Sequence, residues 1–116
     1  MGFVLRWVDS SRTEFLAIQQ AAAKGVAARA SGQKSKSSKQ EGLFKQVVKT
    51  LELLGANPRH AGLHTHEFDS IEHPFEKQGK VFEAYVQNRT PGAYRLFWCY
   101  GPGKNEITIL AITPHP

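Results

Sequence analysis

The spacing of apolar residues changes along this chain from a helical repeat to a strand repeat. Between residues 13 and 54 apolar side chains recur every three or four positions, and from residue 80 onward they alternate with polar ones. A period near 3.6 places side chains on one face of a helix, whereas a period of 2 places them on one face of a strand. The sequence therefore predicts a helical first half, a sheet in the second half and an α+β fold.

Two helices are predicted in the first half, each from one apolar stripe. The first follows Ser11 and Glu14, which have the spacing of a capping box, and continues to about Ala30. The second runs from about Gly42 to Leu54 and stops before a Gly. The two stripes consist of Phe15, Ile18, Ala22 and Val26 in the first helix and Leu43, Val47, Leu51 and Leu54 in the second.

A polar, basic segment at 31–40 separates the two helices. It contains several lysines and serines but no large apolar residue, so we expect a flexible loop. Ser38 and Glu41 at its end again have capping-box spacing. Because the connection is short, the two helices should pack together as a hairpin.

Strands are predicted at the N-terminus and after residue 80. They cover residues 3–8, 81–87, 93–100 and 106–113. Short turns that contain Pro and Gly join the last three, which indicates an antiparallel three-strand meander. The expected fold is therefore one domain over residues 1–116 in the order β-α-α-β-β-β, with the helices packed on one sheet face.

Alternation also assigns side chains to the two faces of the sheet. If the strands align without a shift, Glu83, Tyr85 and Arg95 share the face opposite the helices, and a one-residue slip would reverse this. The last strand is apolar on both faces, which favours a position inside the sheet.

Charge is distributed unevenly along the chain. Residues 1–50 contain nine Lys/Arg and three Asp/Glu, whereas residues 51–116 contain six and seven, and the net charge is +5. A basic half is typical of proteins that bind a polyanion or an acidic partner, and it also occurs on ordinary solvated surfaces. Both interpretations remain open at this point.

Cys99 is the single cysteine of the sequence. It excludes a disulfide within the chain and a zinc site built from several cysteines, and it is consistent with a reducing cytoplasm. The sequence has no run of about 18 apolar residues and no segment typical of a signal peptide. We therefore expect a cytoplasmic protein that has no membrane contact and no cofactor.

The predicted order of elements resembles that of the RelE/ParE family of bacterial toxins. Three segments carry the resemblance, which spans nearly the whole chain. Asn-Pro-Arg-His-Ala-Gly at 57–62 is similar to the loop after the second helix, and Ala-Tyr-Arg-Leu-Phe at 93–97 is similar to the family's Tyr-Arg-hydrophobic strand. Ile-Thr-Pro-His at 112–115 resembles the final strand and terminal histidine of the ribonuclease members.

This resemblance implies the toxin of a type II toxin–antitoxin system. Toxins of the RelE branch are endoribonucleases (mRNA interferases) that cut mRNA, usually on the ribosome, through attack of the RNA's own 2′-hydroxyl. An acidic antitoxin would silence such a toxin by laying a helix or a strand over its active face. The reaction needs a cation for the phosphorane, an acid for the leaving 5′-oxygen and a base for the 2′-hydroxyl.

Three residues are candidates for these roles. Arg95 is the candidate cation because its planar fork fits two phosphate oxygens, and the alternative is an ion pair with Glu83. His115 is the candidate acid because histidine titrates near neutrality, and the alternative is a solvated terminal side chain. Glu83 is the candidate base, and the alternative is an exposed strand carboxylate. It stands where active family members usually carry a basic residue.

Four further residues are candidates for RNA binding. Lys80, Arg89 and Arg59 could contact phosphates, and Tyr85 could stack on a base.

Four of the five histidines lie within fourteen residues, at His60, His64, His66 and His73. In an extended segment His64 and His66 would point to the same side. With His73, Glu67 or Asp69 they could form a metal site, but the spacing matches no strong metal-binding signature, so a surface loop without a metal is favoured. The histidines would then cap turns or line the substrate groove.

Two other functions are compatible with the same fold. One is a gyrase-binding toxin of the ParE branch, without nuclease activity, and the other is a non-toxic nucleic-acid-binding module. The terminal His115 favours the nuclease.

Overall fold

The computed structural model describes residues 2–32 and 39–115 of the chain. Within them lie two α-helices, one short 3-10 turn and five strands. The elements are β1 (Val4–Trp7), α1 (Asp9–Ala30), α2 (Lys39–Ala56), the 3-10 turn Ala61–Leu63, β2 (His66–Glu67), β3 (Phe82–Tyr85), β4 (Tyr94–Tyr100) and β5 (Glu106–Pro114). Most of the predicted loop at 31–40, including Ser38, lies outside the described residues.

The five strands form one sheet in the order β1-β5-β4-β3-β2. The predicted antiparallel meander of β3, β4 and β5 is confirmed. The sheet as a whole is mixed, because β1 pairs with β5 in parallel. This pairing places β5 inside the sheet, as its two apolar faces indicated. The two-residue strand β2 adds an unpredicted antiparallel edge beside β3.

The two helices pack on one face of the sheet, as the sequence predicted. Residues from both helices and from three strands form the main core there: Ile18, Val47, Leu51, Leu54, Ala84, Leu96, Trp98, Ile107, Ile109 and Ile112. The helices are also joined by an ion pair, in which each guanidinium nitrogen Nη of Arg29 lies 2.5 Å from one carboxylate oxygen of Glu41. In the described part of the chain, neither helix is long and apolar enough to cross a membrane.

The opposite sheet face is covered only in part. Val81, Phe97, Cys99 and Leu110 form a small cluster on it. Phe68 and Ile71, from the segment between β2 and β3, pack against this cluster, and the rings of Phe68 and Phe97 are 4.6 Å apart. The same face also carries Glu83 and Arg95, which belong to a small polar cluster.

The predicted capping box at the start of α1 is wrong. The helix begins at Asp9, and Val8 at the N-cap position makes no side-chain cap. Ser11 is instead fully buried, and its hydroxyl donates to the carbonyl oxygen of Ile109 at 2.7 Å. A Glu14 carboxylate oxygen accepts from the backbone N–H of Ile112 at 2.9 Å. Both side chains therefore connect α1 to the backbone of β5 through hydrogen bonds.

Candidate active site

Glu83 lies at the centre of a polar cluster on the sheet face opposite the helices. The residue is only 2% exposed. Its oxygen Oε1 lies 2.5 Å from Nε2 of His66, and its oxygen Oε2 lies 3.8 Å from Nε of Arg95 and 3.7 Å from Nε2 of His115. A buried carboxylate is stable only with such partners, because removing a charge from water is costly. Two imidazoles and one guanidinium therefore surround this single buried carboxylate.

Strand register explains why these residues meet. Glu83 pairs with His66 across β2 and β3, and Tyr85 pairs with Arg95 across β3 and β4. Residues two apart on a strand share a face, so Glu83 and Tyr85 lie beside Arg95. His115 follows β5, and its backbone N–H donates to the carbonyl oxygen of Ala93 at 2.8 Å, which holds the tail beside β4.

The Arg95 guanidinium is fixed from three sides. Its Nη1 donates to the carbonyl oxygens of Gln87 at 2.5 Å and of Tyr94 at 3.3 Å, and its Cζ lies 3.8 Å above the ring of Tyr85. Its Nε and the Glu83 oxygen Oε2 are both buried, and neither makes a hydrogen bond with the described residues. The ion-pair alternative for Arg95 is therefore present in the structure, as a long contact within the cluster.

A groove of about 550 Å³ opens beside this cluster. Arg95 and His115 line it together with Arg89 and the turn at 90–93. The side chain of His115 is 51% exposed, whereas that of Arg95 is 9% exposed. The predicted cation and acid thus border the same groove, with one exposed to solvent and the other mostly buried.

His66 is the member of the cluster that the sequence did not identify as a candidate for the reaction. Its Nε2 contacts Glu83, and its Nδ1 lies 3.1 Å from the carbonyl oxygen of His64. The rings of His64 and His66 both contact Tyr85, with centroids 5.1 and 6.0 Å away. The sequence predicted that the His64 and His66 side chains point to the same side. It gave no signal for the pairing of β2 with β3, which brings His66 to Glu83.

The remaining two histidines of the predicted cluster stabilise local turns. The Nδ1 atom of His60 accepts from the backbone N–H of Gly62, and that of His73 accepts from the backbone N–H groups of Phe75 and Glu76. Over residues 2–32 and 39–115, no three His, Cys, Asp or Glu side chains are arranged to hold a metal ion.

Two predicted RNA-binding residues lie away from the Glu83 cluster. Lys80 forms an exposed ion pair with Glu67, with 2.9 Å between Nζ and Oε1. Arg59 lines a second cleft, between the loop after α2 and the sheet edge. The structure therefore brings Glu83, Tyr85, Arg89, Arg95 and His115 together and leaves Lys80 and Arg59 at the periphery.

Solved structures with this architecture match the chain along almost its full length. A YoeB/ParE toxin from Agrobacterium tumefaciens superposes with a TM-score of 0.61 and 9% identity, covering 97% of this chain and 99% of that one. The chain has the RelE/ParE toxin fold. The RelE-RelB complex from Pyrococcus horikoshii OT3 gives a TM-score of 0.55 at 12% identity, covering 98% and 96%. The chromosomal ParDE system from P. aeruginosa gives 0.52 at 17%, covering 98% and 97%.

At such low identities the likeness concerns the RelE/ParE fold and not the chemistry of the site. No protein-family model matches the sequence, and no curated protein matches it.

Proposed function

We propose that this chain is the toxin of a toxin–antitoxin pair and that it acts as an endoribonuclease through the Glu83 cluster. The observation that supports this proposal is the convergence of Glu83, Arg95 and His115 beside an open groove. A carboxylate, a guanidinium and an imidazole are the base, cation and acid that cleavage of RNA by its own 2′-hydroxyl requires.

The proposed reaction assigns one role to each group. Glu83 takes the proton of the 2′-hydroxyl while that oxygen forms a bond to phosphorus. Arg95 stabilises the negative charge that develops on the phosphorane oxygens. The bond from phosphorus to the 5′-oxygen breaks, and the protonated imidazole of His115 gives its proton to that oxygen. The products are a 2′,3′-cyclic phosphate and a free 5′-hydroxyl, so atoms and charges balance without a cofactor.

The exposure of the groups suggests how RNA approaches. His66 and His115 are each about half exposed, with side-chain exposures of 49% and 51%, whereas Glu83 is buried between them. RNA would therefore contact the two imidazoles first and displace them enough to reach the carboxylate. Arg89 on the groove rim, and Lys80 at the β2 edge, would hold the flanking phosphates.

An acidic antitoxin is the proposed protein partner. Residues 1–50 carry an excess of six basic residues, which favours association with a negatively charged protein. The RelE-RelB and ParDE structures show that other chains of this fold occur in toxin–antitoxin systems. Messenger RNA, free or on the ribosome, is the proposed substrate.

Inducible expression followed by mapping of RNA 3′ ends tests the nuclease. The proposal expects growth arrest together with new 3′ ends that carry a cyclic phosphate, and expects both to disappear in His115→Ala. Arrested cells with intact transcripts and a DNA-damage response would indicate a gyrase-binding toxin instead. Unaffected growth would favour a non-toxic nucleic-acid-binding module.

A further inference from the structure

A second cleft, of about 490 Å³, lies on the other side of the sheet edge from Glu83. Three aromatic residues of the sheet, Phe82, Trp98 and Tyr100, form one wall. The loop that follows α2 forms the other wall, with Arg59, His60 and His64 among its side chains. The proposed reaction uses none of these residues.

The aromatic wall combines one exposed ring with two more buried ones, since Tyr100 is exposed, Phe82 is half-buried and Trp98 is only 1% exposed. Phe82 stacks on Trp98 with centroids 4.8 Å apart, and Tyr100 meets both rings edge-on at 5.9 and 4.9 Å. Tyr100 is 41% exposed. The indole N–H of Trp98 is buried, and no hydrogen-bond acceptor for it lies among the residues that the structure describes. An exposed ring such as Tyr100 beside a cleft is typical of a surface on which a flat ligand stacks.

The opposite wall supplies positive charge and hydrogen-bond donors. Arg59 is exposed, and its guanidinium makes no hydrogen bond or ion pair with the described side chains. The Nδ1 atom of His60 accepts from Gly62, so its Nε2 carries the ring proton when the ring is neutral. A guanidinium next to stacked rings matches a nucleotide, whose base is flat and whose phosphate is anionic.

His64 connects this cleft to the Glu83 cluster. Its side chain lines the cleft, and its ring centroid lies 5.1 Å from that of Tyr85, which in turn lies beneath Arg95. A strand of RNA could therefore cross the β2 edge with one nucleotide at Glu83 and a neighbouring one in the cleft.

We propose that the cleft binds a nucleobase of the RNA next to the cleavage site, stacked on Phe82 and Tyr100, with Arg59 on the adjoining phosphate. This inference rests on RNA being the substrate, as proposed above. An apolar peptide side chain would fill the same aromatic wall but would leave Arg59 without an anionic partner, so a nucleotide fits both walls better.

Binding of an all-deoxy oligonucleotide tests the inference without any cleavage, because such a strand lacks the 2′-hydroxyl. The two tryptophans provide an internal control in spectra of the indole N–H resonances. Trp98 lines the cleft, whereas Trp7 packs against Phe15 in another part of the molecule. We expect the Trp98 resonance to shift on titration and the Trp7 resonance to stay.

Substitutions then measure the contribution of each wall. Tyr100→Ala and Arg59→Ala should each weaken oligonucleotide binding about tenfold, whereas Tyr100→Phe, which keeps the ring, should bind nearly as the original chain does. Phe75→Ala removes another exposed ring and Lys104→Ala another exposed charge, both outside the cleft, and should leave binding unchanged.

The outcomes separate this inference from the proposed function. If the chain cleaves RNA and both cleft variants keep the original KM, the nucleobase site is wrong and the nuclease stands. If the deoxy strand shifts the indole N–H resonance of Trp98 while no RNA is cleaved, the nucleobase site is supported and the proposed nuclease activity is wrong. The inference is wrong if the deoxy strand binds without shifting the Trp98 resonance. It is also wrong if an apolar antitoxin peptide shifts that resonance and the deoxy strand does not.

Discussion

Nε2 of His66 lies 2.5 Å from Oε1 of Glu83, so a half-exposed imidazole covers one oxygen of a buried carboxylate. The other ring nitrogen, Nδ1, faces the carbonyl oxygen of His64 at 3.1 Å. Both ring nitrogens therefore face oxygen atoms, one of a carboxylate and one of a backbone carbonyl. His66 thus covers Oε1 and leaves Oε2 as the oxygen closest to Arg95 and His115.

Replacing the central carboxylate tests its proposed role as the base. Glu83→Gln keeps the shape of the side chain but cannot take a proton, so RNA cleavage should fall by about 10²- to 10⁴-fold. Single-turnover cleavage of a short RNA measures the change, and circular dichroism verifies the fold. Glu72→Gln removes an exposed carboxylate away from the cluster and should cleave normally. Cleavage by Glu83→Gln at the original rate would assign the base elsewhere.

His66→Gln tests whether the imidazole over Glu83 contributes to the reaction. A neutral amide can still donate to Oε1 but cannot carry a positive charge, so the cleavage rate should fall by about tenfold or more. The shape of the pH–rate profile should change as well, which a purely structural role would not produce. His73→Gln replaces a histidine that caps a turn outside the cluster and serves as the control. Identical profiles for His66→Gln and the original chain would remove His66 from the chemistry.

Arg95→Lys tests whether the shape of the guanidinium matters in addition to its charge. The ammonium group of a lysine lacks the planar fork with which Arg95 donates to the Gln87 carbonyl while its Cζ lies 3.8 Å from the centre of the Tyr85 ring. We expect cleavage to fall at least tenfold even though the positive charge is kept. Arg12→Lys, an exposed substitution on α1, is the matched control. Full activity in Arg95→Lys would show that a point charge is sufficient.

Most of the fold could be predicted because apolar periodicity is a local signal. The apolar stripe of α2 and most of that of α1 are buried or half-buried, although Val26 at the end of the α1 stripe is 53% exposed. The last three strands are rich in buried apolar residues, so residue spacing identifies these elements. The helix cap at Ser11 was predicted wrongly because the same hydroxyl has a better acceptor, the Ile109 carbonyl, which is distant in sequence. Strand β2 was not predicted because two residues are too few to show a period.

The site was predictable to the extent that it follows from strand alternation. Glu83, Tyr85 and Arg95 fall on one face for this reason, and the register of β3 with β4 agrees. The contact of His66 with Glu83 depends on how a loop folds back on the sheet edge. The burial of Glu83 depends on the same loop. Neither property could be deduced from the local sequence.

Ser11→Ala tests the contact that replaced the predicted cap. The substitution leaves the buried Ile109 carbonyl without its donor from Ser11, so the free energy of unfolding should fall by about 1–2 kcal/mol. Denaturant unfolding measures the difference. Ser10→Ala, one residue earlier in α1 and exposed, provides the comparison and should change stability little. Equal stability of the two variants would mean that the hydrogen bond from Ser11 to Ile109 does not contribute to the free energy of unfolding.

Cys99 should be unreactive while the protein is folded. Burial, assisted by the negative charge of Glu76, raises the pKa of the Cys99 thiol from its ordinary 9.0 to about 11. At neutral pH the group is therefore a protonated, fully buried thiol, and only the thiolate is a nucleophile. A disulfide reagent should label the folded chain no faster than it unfolds and label the denatured chain at once. Rapid labelling of the folded chain would contradict this.

The same pKa difference determines how Cys99 affects stability at alkaline pH. Between pH 9 and about 11 the thiol of the unfolded chain loses its proton while that of the folded chain keeps it. The unfolded state then binds fewer protons, so the free energy of unfolding decreases as pH rises through this window. Cys99→Ala lacks the thiol but keeps the other titrating groups. The stability advantage of the original chain over Cys99→Ala should therefore shrink between pH 9 and 11, whereas parallel stability curves would show that folding leaves the thiol's proton affinity unchanged.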